Sequence, residues 1–137
     1  MNSIVRNILA LILALLCGNV VNMGLLQVGY AVLPVPGIDP NDMEAFKAVM
    51  PTLEAKYFLF PFLAHALGTL TSVLIVVKLA VSRKQRLAYI VGTLFLAAGI
   101  AVNIMLPGAL WFTILDITMA YIPMAWLGYR IAGPKSA

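Results

Sequence analysis

Leu87-Ala88-Tyr89-Ile90-Val91-Gly92-Thr93-Leu94-Phe95-Leu96-Ala97-Ala98-Gly99-Ile100-Ala101-Val102-Asn103-Ile104-Met105-Leu106 runs for twenty residues without a charged side chain, and this stretch decides the fold class. An α-helix rises about 1.5 Å per residue, so about 20 apolar residues cross a hydrocarbon core of about 30 Å. Within lipid the backbone must satisfy its own N–H and C=O groups, and an unbroken apolar run lacks the alternation of a barrel strand. The segment therefore reads as a transmembrane helix. Working outward, three more runs repeat the pattern: Ile4 to about Leu33, about Tyr57 to Val81, and Ala109 to about Ile131. The expected architecture is all-α, a polytopic membrane protein forming one four-helix bundle. Its expected spans cover about 4–33, 57–81, 87–106 and 109–131, with an outer loop over about 34–56.

Composition agrees. Of 137 residues, 63% are hydrophobic and 10% charged, against roughly 45–50% and 25% in soluble domains. The lone Cys17 excludes an intramolecular disulfide, a dithiol redox pair and a Cys-rich metal site, and with them the cysteine-pair chemistry of small quinone or vitamin K oxidoreductases. The net charge of +4 does not point to nucleic acid, because the basic residues are distributed over the ends of the apolar runs. The first run is long for one span and is expected to tilt, or to unwind near Gly24 and Gly29 before Pro34 and Pro36. Arg6 and Leu15-Leu16-Cys17 faintly suggest a cleaved leader. Bulky Leu16 and the apolar continuation to Leu33 argue that the first helix is retained.

Cations set the expected orientation. Arg6 precedes the first run, Lys78, Arg83, Lys84 and Arg86 lie between the second and third, and Arg130 and Lys135 follow the fourth. The 34–56 loop holds Asp39, Asp42, Glu44 and Glu54 against Lys47 and Lys56. The positive-inside rule then places both termini and the 2–3 loop in the cytoplasm. Tyr30, Tyr57 and Trp111 fall near the outer boundary and Tyr89, Trp126 and Tyr129 near the inner one, as an aromatic belt requires. In the outer loop, Asp39 as N-cap and Pro40 as first helical residue predict a short amphipathic helix, with Met43, Phe46, Val49 and Met50 on its apolar side, ending by Pro51.

Two Gly-x-x-x-Asn patterns, Gly18 to Asn22 and Gly99 to Asn103, hint at a duplicated two-helix unit, and the same alignment sets His65 against Asp116. Helix rise puts Asn22 and His65 about 12 Å inside Tyr30 and Tyr57, Asp116 about 10 Å inside Ala109, and Asn103 about 6 Å before Pro107. All four helices thus carry a strongly polar side chain toward the outer end. Asp116 is the one acid inside a span and His65 the one histidine in the chain. Charge at membrane depth is costly, so the two are expected to face each other, with Asn22 and Asn103 completing their hydrogen bonds and Thr69 and Thr113 close by. The opposing reading makes the polar layer packing glue and the Ala64, Gly68, Ser72 stripe a helix-docking face.

This residue set excludes several chemistries. One histidine cannot ligate a haem from both sides, His65 and Asp116 with two amides form a poor metal site, no hydrolase triad surrounds Ser72, and no cofactor is implied. Two functions remain. The outer polar layer of His65, Asp116, Asn22, Asn103, Thr69 and Thr113 binds or transports a small solute, lipid or ion, a dimer being needed for a translocation path. Alternatively, the chain is an accessory subunit whose polar layer and small-residue stripes serve packing, mating with a second copy or another membrane protein.

Asp42-Met43-Glu44, the segment Phe60-Pro61-Phe62-Leu63-Ala64-His65-Ala66-Leu67-Gly68-Thr69-Leu70, and Ala120-Tyr121-Ile122-Pro123-Met124-Ala125-Trp126-Leu127-Gly128 resemble a family of small, uncharacterised bacterial inner-membrane proteins with four helices. The resemblance spans nearly the whole chain and implies a bacterial inner membrane, with His65 inside the signature, and no activity. Small multidrug exporters share the size and helix count but rely on a glutamate in the first helix, which this chain lacks.

Overall fold

The computed structural model describes residues 2–134, so Lys135, one of the cations used to orient the chain, lies outside the described residues. Among the described residues the secondary structure is entirely helical. Its α-helices are α1 (Ser3–Val32), α2 (Met43–Val49), α3 (Leu59–Leu79), α4 (Lys84–Met105), α5 (Leu110–Met119) and α6 (Ile122–Ala132). Four helical stretches are long and apolar enough to cross a membrane: Ser3–Val32, Ala55–Leu79, Lys84–Met105 and Leu110–Ala132.

α3 is the central helix, packed on α1, α4 and α6. Its small-residue stripe is filled from within the chain. Ala10, Ala14 and Gly18 of α1 are buried along the same crossing, and Ser72 Oγ donates to the Ala14 carbonyl at 2.7 Å. A Cβ on Gly18 would lie 2.6 Å from the Gly68 carbonyl and collide with Ser72 Oγ, so the two backbones approach as closely as only glycine allows. The Ala80–Arg83 turn joins α3 to α4 and is tied to α1 by Asn7. Asn7 Oδ1 accepts from the Val81 N–H at 3.0 Å, and Asn7 Nδ2 donates to Ser82 Oγ at 3.0 Å. At this turn end the core is dense. Val73, Val76, Val77, Ala80, Ala88, Val91 and Ala125 are fully or almost fully buried, and a Cβ on Gly128 would sit 2.7 Å from Val73.

Three expectations are corrected. The first run neither unwinds at Gly24 nor at Gly29 but continues to Val32, with Gly29 seated on Phe60. The outer-loop helix starts at Met43 instead of Pro40. Asp39 Oδ1 is taken up by the Asn41 N–H at 2.8 Å in a local turn, and Asp42 becomes the N-cap, accepting from the Ala45 N–H at 3.1 Å. The fourth stretch is two helices, α5 and α6, broken at Ala120-Tyr121. Pro123 has no N–H to close onto the carbonyl four residues back, and it sits in the first turn of α6, where that N–H is not needed.

Candidate functional site

The break in the fourth stretch builds the site. Tyr121 leaves helical geometry (φ −120°, ψ −76°), and its ring turns back beside Asp116, five residues earlier. The ring also fits against Gly99, where any Cβ would collide with the Tyr121 hydroxyl. Tyr121 is 1% exposed and Asp116 is 0% exposed.

Asp116 receives two donors. His65 Nδ1 lies 2.8 Å from Oδ1 and 3.0 Å from Oδ2, and the Tyr121 hydroxyl donates to Oδ2 at 3.0 Å. The imidazole and the Tyr121 ring are stacked, centroids 5.8 Å apart at 29°. This arrangement fixes the chemistry of His65. A carboxylate on Nδ1 holds the proton there, so the neutral ring presents Nε2 as an acceptor and the protonated ring presents it as a second donor. Among the described residues no hydrogen bond reaches Nε2. The ring borders two cavities, so its free edge is available to a ligand.

The first cavity, of about 120 Å³, lies beneath the 33–58 loop and is walled largely by aromatic and aliphatic side chains, including Tyr30, Phe46, Phe58, Phe60 and Phe112. Phe58 stacks on Phe112 (4.5 Å, 27°) and meets Trp111 edge-on (5.5 Å, 84°), closing the loop end. Phe46 of α2 meets Tyr30 edge-on at 6.0 Å, so α2 forms a lid over the cavity. The second cavity, of about 420 Å³, lies between α1 and α4 and is lined by Asn19, Asn22, His65 and Tyr121 among apolar groups.

No protein-family model matches the chain, and no curated protein and no solved structure matches it.

Of the six residues singled out from sequence, His65 and Asp116 come together, while the asparagines do not complete their hydrogen bonds. Asn103 donates to the Gly99 carbonyl at 2.9 Å and accepts from Thr113 Oγ1 at 2.9 Å, which commits both residues to tying α4 to α5. Asn22 lines the α1–α4 cavity beside His65 without a hydrogen bond to the pair. Thr69 Oγ1 donates to the His65 carbonyl at 2.8 Å, an interaction within its own helix. The partner that sequence reading missed is Tyr121. The signals available for it were Pro123 two residues later, which breaks the helix there, and the small face of Gly99 that receives its ring. Three hydroxyls of the bundle already donate elsewhere: Tyr121 to Asp116, Thr69 to the His65 carbonyl, and Ser72 to the Ala14 carbonyl. His65 is therefore a hydrogen-bonding group that lines a cavity.

Proposed function

We propose that this chain is a multi-pass membrane protein, resembling the small bacterial inner-membrane family, that binds a small molecule at His65 from the side of the 33–58 loop. Positive-inside logic puts Lys78, Arg83, Lys84, Arg86 and Arg130 in the cytoplasm and the acidic loop outside. The binding site then lies in the outer leaflet beneath the α2 lid.

The observation that carries this reading is the 2.8 Å contact between His65 Nδ1 and a fully buried Asp116, with no hydrogen bond to Nε2 among the described residues and His65 lining two cavities. A histidine serving only as packing glue would need no cavity at its side. Here Asp116 and Tyr121 hold one edge and leave the other open. The carboxylate holds the proton on Nδ1, so Nε2 of the neutral ring is left as an acceptor for a ligand donor.

The accessory reading draws on a different surface. The α3 stripe is occupied by α1, whereas Ile8, Leu9, Ile12, Leu16 and Val20 of α1 are exposed and would face lipid, a second copy or another membrane protein. The test is thermal unfolding and native mass spectrometry of mildly extracted protein. The expected result is a co-purifying small molecule that is retained by the wild type and lost from a folded His65→Gln variant. A wild-type protein that carries only detergent and phospholipid, and whose unfolding responds to no added small molecule, would overturn the binding reading.

A further inference from the structure

Building on that binding site, we infer that its ligand is a hydroxylated aromatic ring bearing a hydrocarbon tail, a lipophilic phenol or quinol. The ring occupies the cavity beneath the loop, its hydroxyl donates to His65 Nε2, and its tail leaves between α1 and α4.

Three observations fix the three parts. The loop cavity is walled by Tyr30, Phe46, Tyr57, Phe58, Phe60 and Phe112, and its volume of about 120 Å³ approaches the roughly 150 Å³ of an apolar cavity that admits benzene. Aromatic walls favour a ring by edge-on and offset contacts. The polar groups permit only a small neutral head. His65 lies nearly three turns into the helical stretch that begins at Ala55, and a charged or zwitterionic headgroup brought to that depth would lose its hydration against a single imidazole edge. One hydroxyl matches it, donating to Nε2, while the half-buried amide of Asn22 lines the neighbouring α1–α4 cavity. The tail has an exit. Leu26, His65 and Val102 border both cavities, so the two abut at the imidazole, and Met23, Leu94, Ala98 and Val102 are exposed along the α1–α4 gap, which opens it sideways toward hydrocarbon.

The experiment uses the full chain in mild detergent, with calorimetric titration and thermal unfolding as readouts. Its probes are 4-dodecylphenol, 4-dodecylanisole, dodecan-1-ol and 4-ethylphenol. 4-Dodecylphenol is expected to bind and stabilise. Its anisole ether, which cannot donate to Nε2, is expected to bind about tenfold more weakly. His65→Gln should erase that difference. Ala98→Trp, which fills the gap, should weaken 4-dodecylphenol at least tenfold and leave 4-ethylphenol unchanged. If His65→Gln does not fold, the phenol and anisole pair on the wild type decides. Equal binding of the phenol and the anisole overturns the inference. So does dodecan-1-ol binding as tightly as the phenol, and if that binding needs His65 the site reading survives while the ring is wrong. If no probe depends on His65, the site reading falls as well.

Discussion

The bundle has a solid end and a hollow one. Around the Ala80–Arg83 turn, small and β-branched side chains of α3, α4 and α6 pack until Val73, Val76, Val77, Ala88, Val91 and Ala125 are sealed. Around the 33–58 loop, a buried acid on α5 and a half-open histidine on α3 stand beside two cavities. Both ends are lined mostly by apolar side chains, so hydrophobicity alone does not separate them. What separates them is size and continuity. Gly18, Gly68, Gly92 and Gly128 bring backbones together in the centre and at the turn end, while bulky aromatics and the break at Tyr121 hold the loop end apart. Stability is therefore expected to reside in the solid part and binding in the hollow part.

The largest effect that would test this division comes from Gly18→Val. The new Cβ meets the Gly68 carbonyl, which belongs to a helix backbone and cannot rotate away, and it displaces Ser72 from Ala14. Overpacking costs about 1–3 kcal/mol, and this site belongs at the upper end. Denaturant unfolding in micelles should show it, and an unchanged midpoint would mean that the α1–α3 crossing is not where the fold is held. Next is Asp116→Ala, which strands the Tyr121 hydroxyl and His65 Nδ1 and should cost about 2 kcal/mol while abolishing ligand-induced stabilisation. Retained ligand stabilisation would show that the pair does not hold the site. Tyr121→Phe is milder. The ring stays stacked on His65 and Asp116 keeps its histidine, so a loss of about 1 kcal/mol is expected, with ligand affinity falling as His65 loses its restraint. A cost equal to that of Asp116→Ala would place Tyr121 in the load of the fold instead of in the tuning of the site.

The extents of the four apolar stretches were legible because hydropathy reports them directly, and the facing of His65 and Asp116 was legible because two ionisable groups at matching depth have few other ways to avoid lipid. The asparagines were misjudged for a reason that applies to any helix. An amide can bond back to a carbonyl one turn earlier, as Asn103 does to Gly99 and Asn19 does to Leu15, and spacing alone does not distinguish that from a bond across the bundle. Tyr121 was hidden because it lies in the middle of the apolar 109–131 run, read as one continuous helix. It becomes a site residue only once the helix stops at Ala120 and lets its ring turn inward. The start of the loop helix was read at Asp39, although Asp42, three residues on, offers the same capping chemistry. The local turn at Asn41 decided between them.

The smallest effect on stability, and the sharpest test of the division, is expected from Phe46→Ala. Phe46 belongs to a seven-residue helix with no buried residue, and it is joined to the bundle by an edge-on contact with Tyr30 and by the cavity wall. An aromatic pair of this kind contributes about 0.5–1.5 kcal/mol locally. A segment this short and exposed is expected to open well below the global unfolding free energy, so removing the contact should raise lid opening while leaving the global midpoint within about 0.5 kcal/mol. Hydrogen exchange at the α2 amides should quicken, and a bound phenol should dissociate faster with little change in its association rate, since the lid holds the ligand more than it admits it. If Phe46→Ala instead lowers the midpoint as much as Tyr121→Phe does, the loop helix is part of the cooperative core, and the hollow end is as structural as the solid one.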